Sequence, residues 1–293
     1  MKHKIDFVKC NPTQNMTVLI KSKLPPDDYK IIASKIMSYD NVYAEQVGFI
    51  EPFRKENADA RLHMAGGEFC GNACMALAAY LANEQGLNQN ETTELHLQVS
   101  GVERLVTCRI TKNSGDYQCQ VDMPLPLTIE QTVLKDGSDS YDLFVVRYSD
   151  FIHFVIEVED IDTEMKRKML NLVKLIGPLL DTKMLGILLY NIRTSELAPL
   201  IYVSDLDSAV WERGCGSGTA SVGAYLAWKN QKSMEAAIQQ PGGTIQVRAF
   251  YDQERLTQLE IEGNVGIVAQ GIAFIEQDAD HVEGVRNREI SMV

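Results

Sequence analysis

The 293-residue chain has no run of 18 or more apolar residues, so no transmembrane helix is expected. Its opening, MKHKIDFVKC, is basic but then alternates polar and apolar residues, with no apolar run to serve as a secretion signal. Basic residues are in deficit: 28 Lys and Arg stand against 40 Asp and Glu, a net charge of -12. That balance argues against nucleic acid and anionic membrane as partners, since both select basic surfaces. Cysteine is sparse for a disulfide framework. The six (Cys10, Cys70, Cys74, Cys108, Cys119, Cys215), with no secretion signal, are expected to be reduced thiols of a cytoplasmic protein. Cys70 and Cys74 lie one helical turn apart, but two thiols are too few for a closed zinc site and no His pair has matching spacing, so no metal is expected. The runs GGE and PGG form no phosphate loop, and no sign of a Schiff-base lysine points to PLP; no cofactor is expected.

What is present is a globular composition, 45% apolar and 23% charged, and a plan that repeats. KIDFVKC and MTVLIKS read as strands around the turn NPTQN, followed by a helix in PPDDYKIIASKIMSYD and strands in VYAEQVGFIEPF and ADARLHM. After a helix that begins at the first of two matching cysteine segments, ELHLQVSG, RLVTCRI and YQCQVDMP alternate as strands. The second half runs in the same order: strand-turn-strand in YDLFVVRYSDFIHFVIEV, an amphipathic helix in EMKRKMLNLVKLIGPLL, strands in GILLYNI and LIYVSD, a second cysteine-led helix, then GGTIQVRAF, LTQLEIEG and GIVAQGIAFIE. The expected fold is α+β, two pseudo-symmetric halves, each a mostly antiparallel sheet wrapped around a central helix. Residues 1–126 and 127–293 form the halves, with the boundary in MPLPLTIEQTVLKDGSDS. The final strand, near 266–280, is a candidate to return to the first half. The tail HVEGVRNREISMV is polar and reads as loose.

The matching segments are EFCGNACMALAAYLANEQG from Glu68 and ERGCGSGTASVGAYLAWKNQ from Glu212. Cys70 aligns with Cys215, Gly71 with Gly216, and Tyr80-Leu81-Ala82 with Tyr225-Leu226-Ala227. Duplication of a core helix accounts for the Ala-Tyr-Leu-Ala body. It accounts less well for cysteines at both helix starts. A helix start offers unsatisfied N–H groups and the positive end of the dipole; it eases ionisation of a thiol and docks a carboxylate, while glycine lets a ligand approach the backbone. Inverting a carbon that bears a hydrogen needs a base on one face and an acid on the other. Two like thiols across one interdomain cleft supply both, and exchange roles in the reverse reaction. Backbone N–H groups at the helix starts then meet the charge developing on the substrate carboxylate.

EFCGNA and CGSGTAS resemble the two catalytic motifs of the diaminopimelate epimerase fold family, cofactor-independent amino-acid epimerases and racemases. NPTQNMTVLI at Asn11, EQVGFIE at Glu45 and QPGGTIQV at Gln240 fall in the family's order, so the likeness covers nearly the whole chain. Within that fold family, these runs with PLIY and WE are similar to those of the histidine racemases of staphylopine-type metallophore synthesis. The resemblance implies that Cys70 and Cys215 are the two bases. It implies that Asn15, Gln46, Gly71, Asn72, Gly216 and Ser217 hold the α-amino and α-carboxylate groups, and that Glu212 orients the amine or assists the nearby thiol. His153 falls where the family often has Asn-Pro-His, here Asp-Phe-Ile-His. A homodimer without cofactor is also implied.

The departures narrow the substrate. Diaminopimelate epimerases grip the distal amino-acid head with further Asn side chains, and Phe151 and Gly186 stand at or near two of those places. The usual Asn-Ala-Asp-Gly before the first cysteine is missing. A second charged head would lose several partners, and buried unpaired charge is costly. Histidine is therefore the leading substrate by resemblance. Diaminopimelate or another amino acid, or a non-catalytic amino-acid-binding role, are the alternatives; deuterium wash-in at the α-carbon separates catalysis from binding.

Overall fold

The computed structural model describes residues 2–52, 57–136, 139–204 and 208–276, so HVEGVRNREISMV lies outside the described residues. The first stretch contains β1 (Lys2–Pro12), β2 (Thr17–Ile20), α1 (Tyr29–Met37), β3 (Gln46–Glu51), β4 (Ala60–Met64), α2 (Gly71–Glu84), β5 (Thr92–Val99), β6 (Val106–Lys112) and β7 (Tyr117–Asp122). The chain continues through β8 (Thr128–Asp136), β9 (Asp139–Arg147), β10 (Phe151–Glu157), α3 (Thr163–Ile176), β11 (Met184–Asn191), β12 (Glu196–Val203) and β13 (Ser208–Trp211). It ends with α4 (Gly216–Asn230), β14 (Met234–Gln240), β15 (Gly243–Asp252) and β16 (Arg255–Glu276). This is a sheet-rich α+β fold.

The strands form one continuous ladder in the order β1-β2-β3-β4-β5-β6-β7-β16-β15-β14-β12-β11-β10-β9-β8, with β13 beside β12. Most neighbours are antiparallel; β2–β3, β4–β5, β10–β11 and β12–β14 run parallel. β16 also pairs with β1, from Lys2↔Glu276 to Pro12↔Val265, so the ladder of β1 to β7 with β16 closes on itself. Closure removes the exposed edges that an open sheet would present.

α2 packs against β1, β2, β3, β5, β6, β7 and β16. Its side chains are apolar around the whole circumference, the pattern of an enclosed helix, and Ala73 through Ala79 are fully buried. The many alanines keep it narrow, and the larger Met75 and Leu77 each contribute about 1.5–3 kcal/mol by burial. α3 is the opposite case. Asp162 caps it by accepting from the Met165 N–H at 2.7 Å, Met169, Leu172 and Val173 face inward, and Lys174 is exposed while Lys166 lies over the Trp211 ring.

Three strands were not legible in the pattern. MPLPLTIEQTVLKDGSDS contains β8, which pairs with β9 as a hairpin. β14, in MEAAIQQ, has small and polar residues where strands usually carry branched ones; its pairing with β15 holds it. The short β13 is held by β12. LTQLEIEG and GIVAQGIAFIE, two strands by pattern, are one continuous β16 that runs through Gly263 and Gly266.

Candidate active site

Both matching cysteines are helix N-caps. Cys70 has extended backbone (φ -135°, ψ 110°), and its Sγ accepts from the Ala73 N–H at 3.4 Å. Cys215 has nearly the same backbone (φ -119°, ψ 108°), and its Sγ accepts from the Gly218 N–H at 3.3 Å. The two helix starts abut. The Asn72 side-chain amide donates to the Gly214 carbonyl at 2.9 Å, and Ile261 of β16 lies against both. A Cβ on Gly71 would come within 3.2 Å of Ile261 Cδ1, and one on Gly216 within 2.8 Å of that atom and 2.9 Å of Asn72 Oδ1. Glycine at 216 is therefore what lets the start of α4 approach Asn72 on α2, while glycine at 71 leaves room for Met123 and Ile261.

Cys70, Cys215, Gln46, Gly71, Asn72, Glu212, Gly216 and Ser217 line one cleft with only about 30 Å³ of free space. Phe69, Met184, Ile201 and Val203 supply its apolar wall. The sequence thus pointed to residues that the fold brings together from distant parts of the chain. Asn15 is fully buried beside Glu212. His153 does not line the cleft: it is fully buried, its Nδ1 2.8 Å from Ser221 Oγ on α4 and its ring against Gly186. Burial pushes its pKa down to about 3, so it is neutral.

Burial dominates the electrostatics. It pushes the Cys70 thiol up to about 12, with the Glu212 and Glu68 carboxylates adding to the rise and the Ala73 N–H opposing it. Cys215 is raised well above the ordinary thiol value by burial first, then by Glu212. The helix starts were expected to ease ionisation. They act in that direction, but desolvation outweighs them, and both thiols are protonated at neutral pH. Glu212 is raised by burial and steadied by its neighbours; it accepts from Gln46 Nε2 at 3.0 Å.

A second cavity of about 200 Å³ adjoins the cleft and shares Gln46, Glu68, Ile201, Val203 and Glu212 with it. Glu45 lines it. Burial and the Glu212 charge raise the Glu45 carboxyl to about 7, against a smaller lowering by Arg213. Glu45 begins the EQVGFIE run, but nothing in that run marks it as a cavity residue. Glu68, at the cleft, and Gln240, bonded to the Cys215 N–H, are likewise unmarked in the sequence. Arg213, next to Glu212 in the chain, lines neither space: its Nε donates to Gln14 Oε1 at 2.8 Å and its Nη2 to the Pro241 carbonyl at 3.1 Å. Among the described residues no group of three or more His, Cys, Asp or Glu side chains is placed to hold a metal, and no helix is long and apolar enough to cross a membrane.

The family described as "Histidine racemase CntK N-terminal domain" matches residues 4–274. The chain belongs to the histidine racemase family. It is similar to a histidine racemase of Staphylococcus aureus, 34% identical over 277 residues that cover 93% of this chain and 98% of the relative. A histidine racemase of Fusobacterium nucleatum is 30% identical, covering 92% and 97%. The fold is that of a hydroxyproline epimerase from Agrobacterium vitis, solved with bound trans-4-hydroxy-L-proline: TM-score 0.69 at 12% identity, covering 94% of this chain and 93% of that one. Family and fold together make the protein an isomerase of the racemase and epimerase class.

Proposed function

We propose that this protein racemises histidine without PLP, inverting the α-carbon between the thiols of Cys70 and Cys215. The observation that carries the proposal is the pair of N-capping thiols lining one small cleft. A thiolate on one face removes the α-proton and becomes a thiol. The thiol on the other face gives its proton to the α-carbon and becomes the thiolate. Atoms and charge balance, and the reverse reaction exchanges the roles.

The N–H groups of Gly71, Gly216 and Ser217 have no carbonyl within their own helices to bond and are the carboxylate cradle. They stabilise the charge that grows on the carboxylate as the proton leaves. Glu212, held by Gln46, takes the α-ammonium, with Asn15 and Asn72 completing the polar contacts. That ammonium also favours ionisation of a nearby thiol, offsetting part of the burial effect. The substrate side chain enters the adjoining cavity, where apolar walls such as Met37, Val47, Ile201 and Val210 stand beside the carboxyls of Glu45, Glu68 and Glu212. A carboxyl that titrates near 7 suits an imidazole, whose own titration lies in the same range.

In this proposal residues 1–126 and 127–293 are two pseudo-symmetric halves, each with its cysteine-led helix at the centre, and the protein works as a cytoplasmic homodimer. His153 then steadies α4 from behind rather than touching substrate. The test is to incubate L-histidine and, separately, D-histidine in deuterated buffer without PLP or metal, with chiral analysis of the products. Both are expected to converge on equal amounts of the enantiomers with deuterium at the α-carbon. Absence of α-deuterium, or fast epimerisation of diaminopimelate beside inert histidine, would overturn the assignment.

A further inference from the structure

The two thiols are not held alike. The backbone of Cys215 is gripped on both sides by a closed ring of hydrogen bonds. Its N–H donates to Gln240 Oε1 at 2.7 Å. Gln240 Nε2 donates to Thr219 Oγ1 at 2.8 Å, and the Thr219 hydroxyl donates back to the Cys215 carbonyl at 2.7 Å. Gln240 and Thr219 are buried, and each uses both its donor and acceptor capacity within the ring, so the arrangement has one orientation only. Gln240 ends β14 and faces Gly243 across the turn into β15. That turn is itself tied to the segment before Cys215: the Gly242 N–H donates to the Arg213 carbonyl at 2.6 Å.

The equivalent position on the other helix breaks the pattern. Four residues after Cys70 comes Cys74, where Thr219 follows Cys215. A thiol is a weak donor and acceptor and cannot replace the hydroxyl in such a ring. Near Cys70 the corresponding support is Ser100, whose Oγ donates to the Glu68 carbonyl at 2.8 Å and accepts from the Met64 N–H at 3.0 Å. That bond lies two residues before the cysteine, and Cys70 is the less buried of the two residues.

From this asymmetry we infer that Gln240 and Thr219 are positioning residues that lock Cys215 in its capping geometry, so that Cys215 is the fixed member of the pair and Cys70 the adjustable one. The inference rests on the two-thiol assignment for its effect on turnover. Its effect on the reactivity of Cys215 is independent of any substrate.

The experiment compares Gln240→Ala, Gln240→Asn, Thr219→Val and Thr219→Ser with the unmodified protein, using Gln239→Ala, at the exposed neighbouring position, as control. Iodoacetamide labelling rates at Cys70 and Cys215 are read separately by peptide mass mapping across pH, beside kcat and KM for histidine. A buried hydrogen bond left without its partner is worth about 10- to 100-fold in a rate it governs. In Gln240→Ala and Thr219→Val, Cys215 labelling is expected to change at least about tenfold in rate or to shift its pH profile, with Cys70 unchanged. On the same basis kcat is expected to fall about 10- to 100-fold with KM nearly constant. Thr219→Ser, which restores the hydroxyl, is expected to recover both. Thr219→Val keeps the side-chain outline and carries the test if Gln240→Ala does not fold. Unchanged Cys215 labelling in the folded variants, or equal changes at both cysteines, overturns the inference. If labelling at Cys215 responds as stated while the unmodified protein leaves histidine untouched, the clamp stands and the assigned reaction fails.

Discussion

Asn15 sits beside the Glu212 carboxylate, close enough to lower that group's pKa, yet neither atom of its side-chain amide completes a well-formed hydrogen bond within the protein. The residue is fully buried. Leaving such an amide unpaired costs about 1–3 kcal/mol, and a site that retains it has a use for it. Asn72 Oδ1 is in the same condition across the cleft.

Asn15→Leu keeps the heavy-atom outline of the side chain and removes the unpaired amide. In the ligand-free variant, relief of the poorly paired amide is offset by loss of a group that steadies the Glu212 carboxylate, so the melting temperature is expected to stay close to wild type while kcat/KM for histidine falls about 10- to 100-fold. Thermal denaturation and steady-state kinetics on the same preparation check both. A clear loss of stability would mean that the amide supports the fold rather than the ligand.

Serine in place of either cysteine is expected to stop racemisation, since a hydroxyl is a far weaker acid than a thiol; the loss should be about 10²- to 10⁴-fold or more. Each single variant keeps one thiol, so each should still eliminate a leaving group from a β-substituted histidine analogue, a reaction that needs one base. Racemisation at the wild-type rate in Cys70→Ser or Cys215→Ser would refute the two-thiol mechanism.

Glu45 gives a prediction in pH. Its carboxyl is raised from 4.5 to about 7 in the folded protein, so the native state binds this proton more tightly than the unfolded chain does. The resulting stabilisation is complete below about 4.5 and is lost as pH rises through 7. Glu45 is not fully sheltered from solvent, so the size is screened, but the sign is fixed. Glu45→Gln should therefore gain in melting temperature on the wild type between pH 5 and pH 8, in the ligand-free protein. A difference that stays constant across that range would show that Glu45 titrates as an ordinary carboxyl.

Oxidation probes the distance between the sulfurs. Only a small cleft separates Cys70 from Cys215, and a disulfide needs Cα atoms roughly 4.4–6.8 Å apart. Air oxidation is expected to inactivate the enzyme through a Cys70–Cys215 bridge, with histidine protecting and a thiol reductant restoring activity. Non-reducing peptide maps identify the bond. A Cys70–Cys74 bridge in its place would argue against facing thiols.

Many of the residues that line the cleft fall in short local motifs, and the family resemblance of those motifs is what drew attention to them before the fold brought them together. The repeated Cys-Gly ahead of a run of small residues put both cysteines at helix starts, and Cys70 and Cys215 are both N-caps. His153 could not be read in the same way. It follows a turn, as its counterpart in the family does, but its depth behind α4 is set by Ser221 and Gly186, residues far away in the chain. The protonated state of the thiols was hidden for a related reason: helix position is local, whereas desolvation sums over everything packed around the sulfur. β14 escaped notice because its residues are weak strand formers and its register comes from β15.

The long last strand has a consequence for how the chain is made. β1 is synthesised long before its partner residues Val265 to Glu276. Until they emerge, the nascent chain carries one flank of β1 unsatisfied. Joining ends so distant in sequence is a slow, entropically costly step. A stalled or truncated chain ending before β16 would expose the alanine-rich face of α2 and a row of unpaired amides, a target for chaperones and proteases rather than a smaller working enzyme.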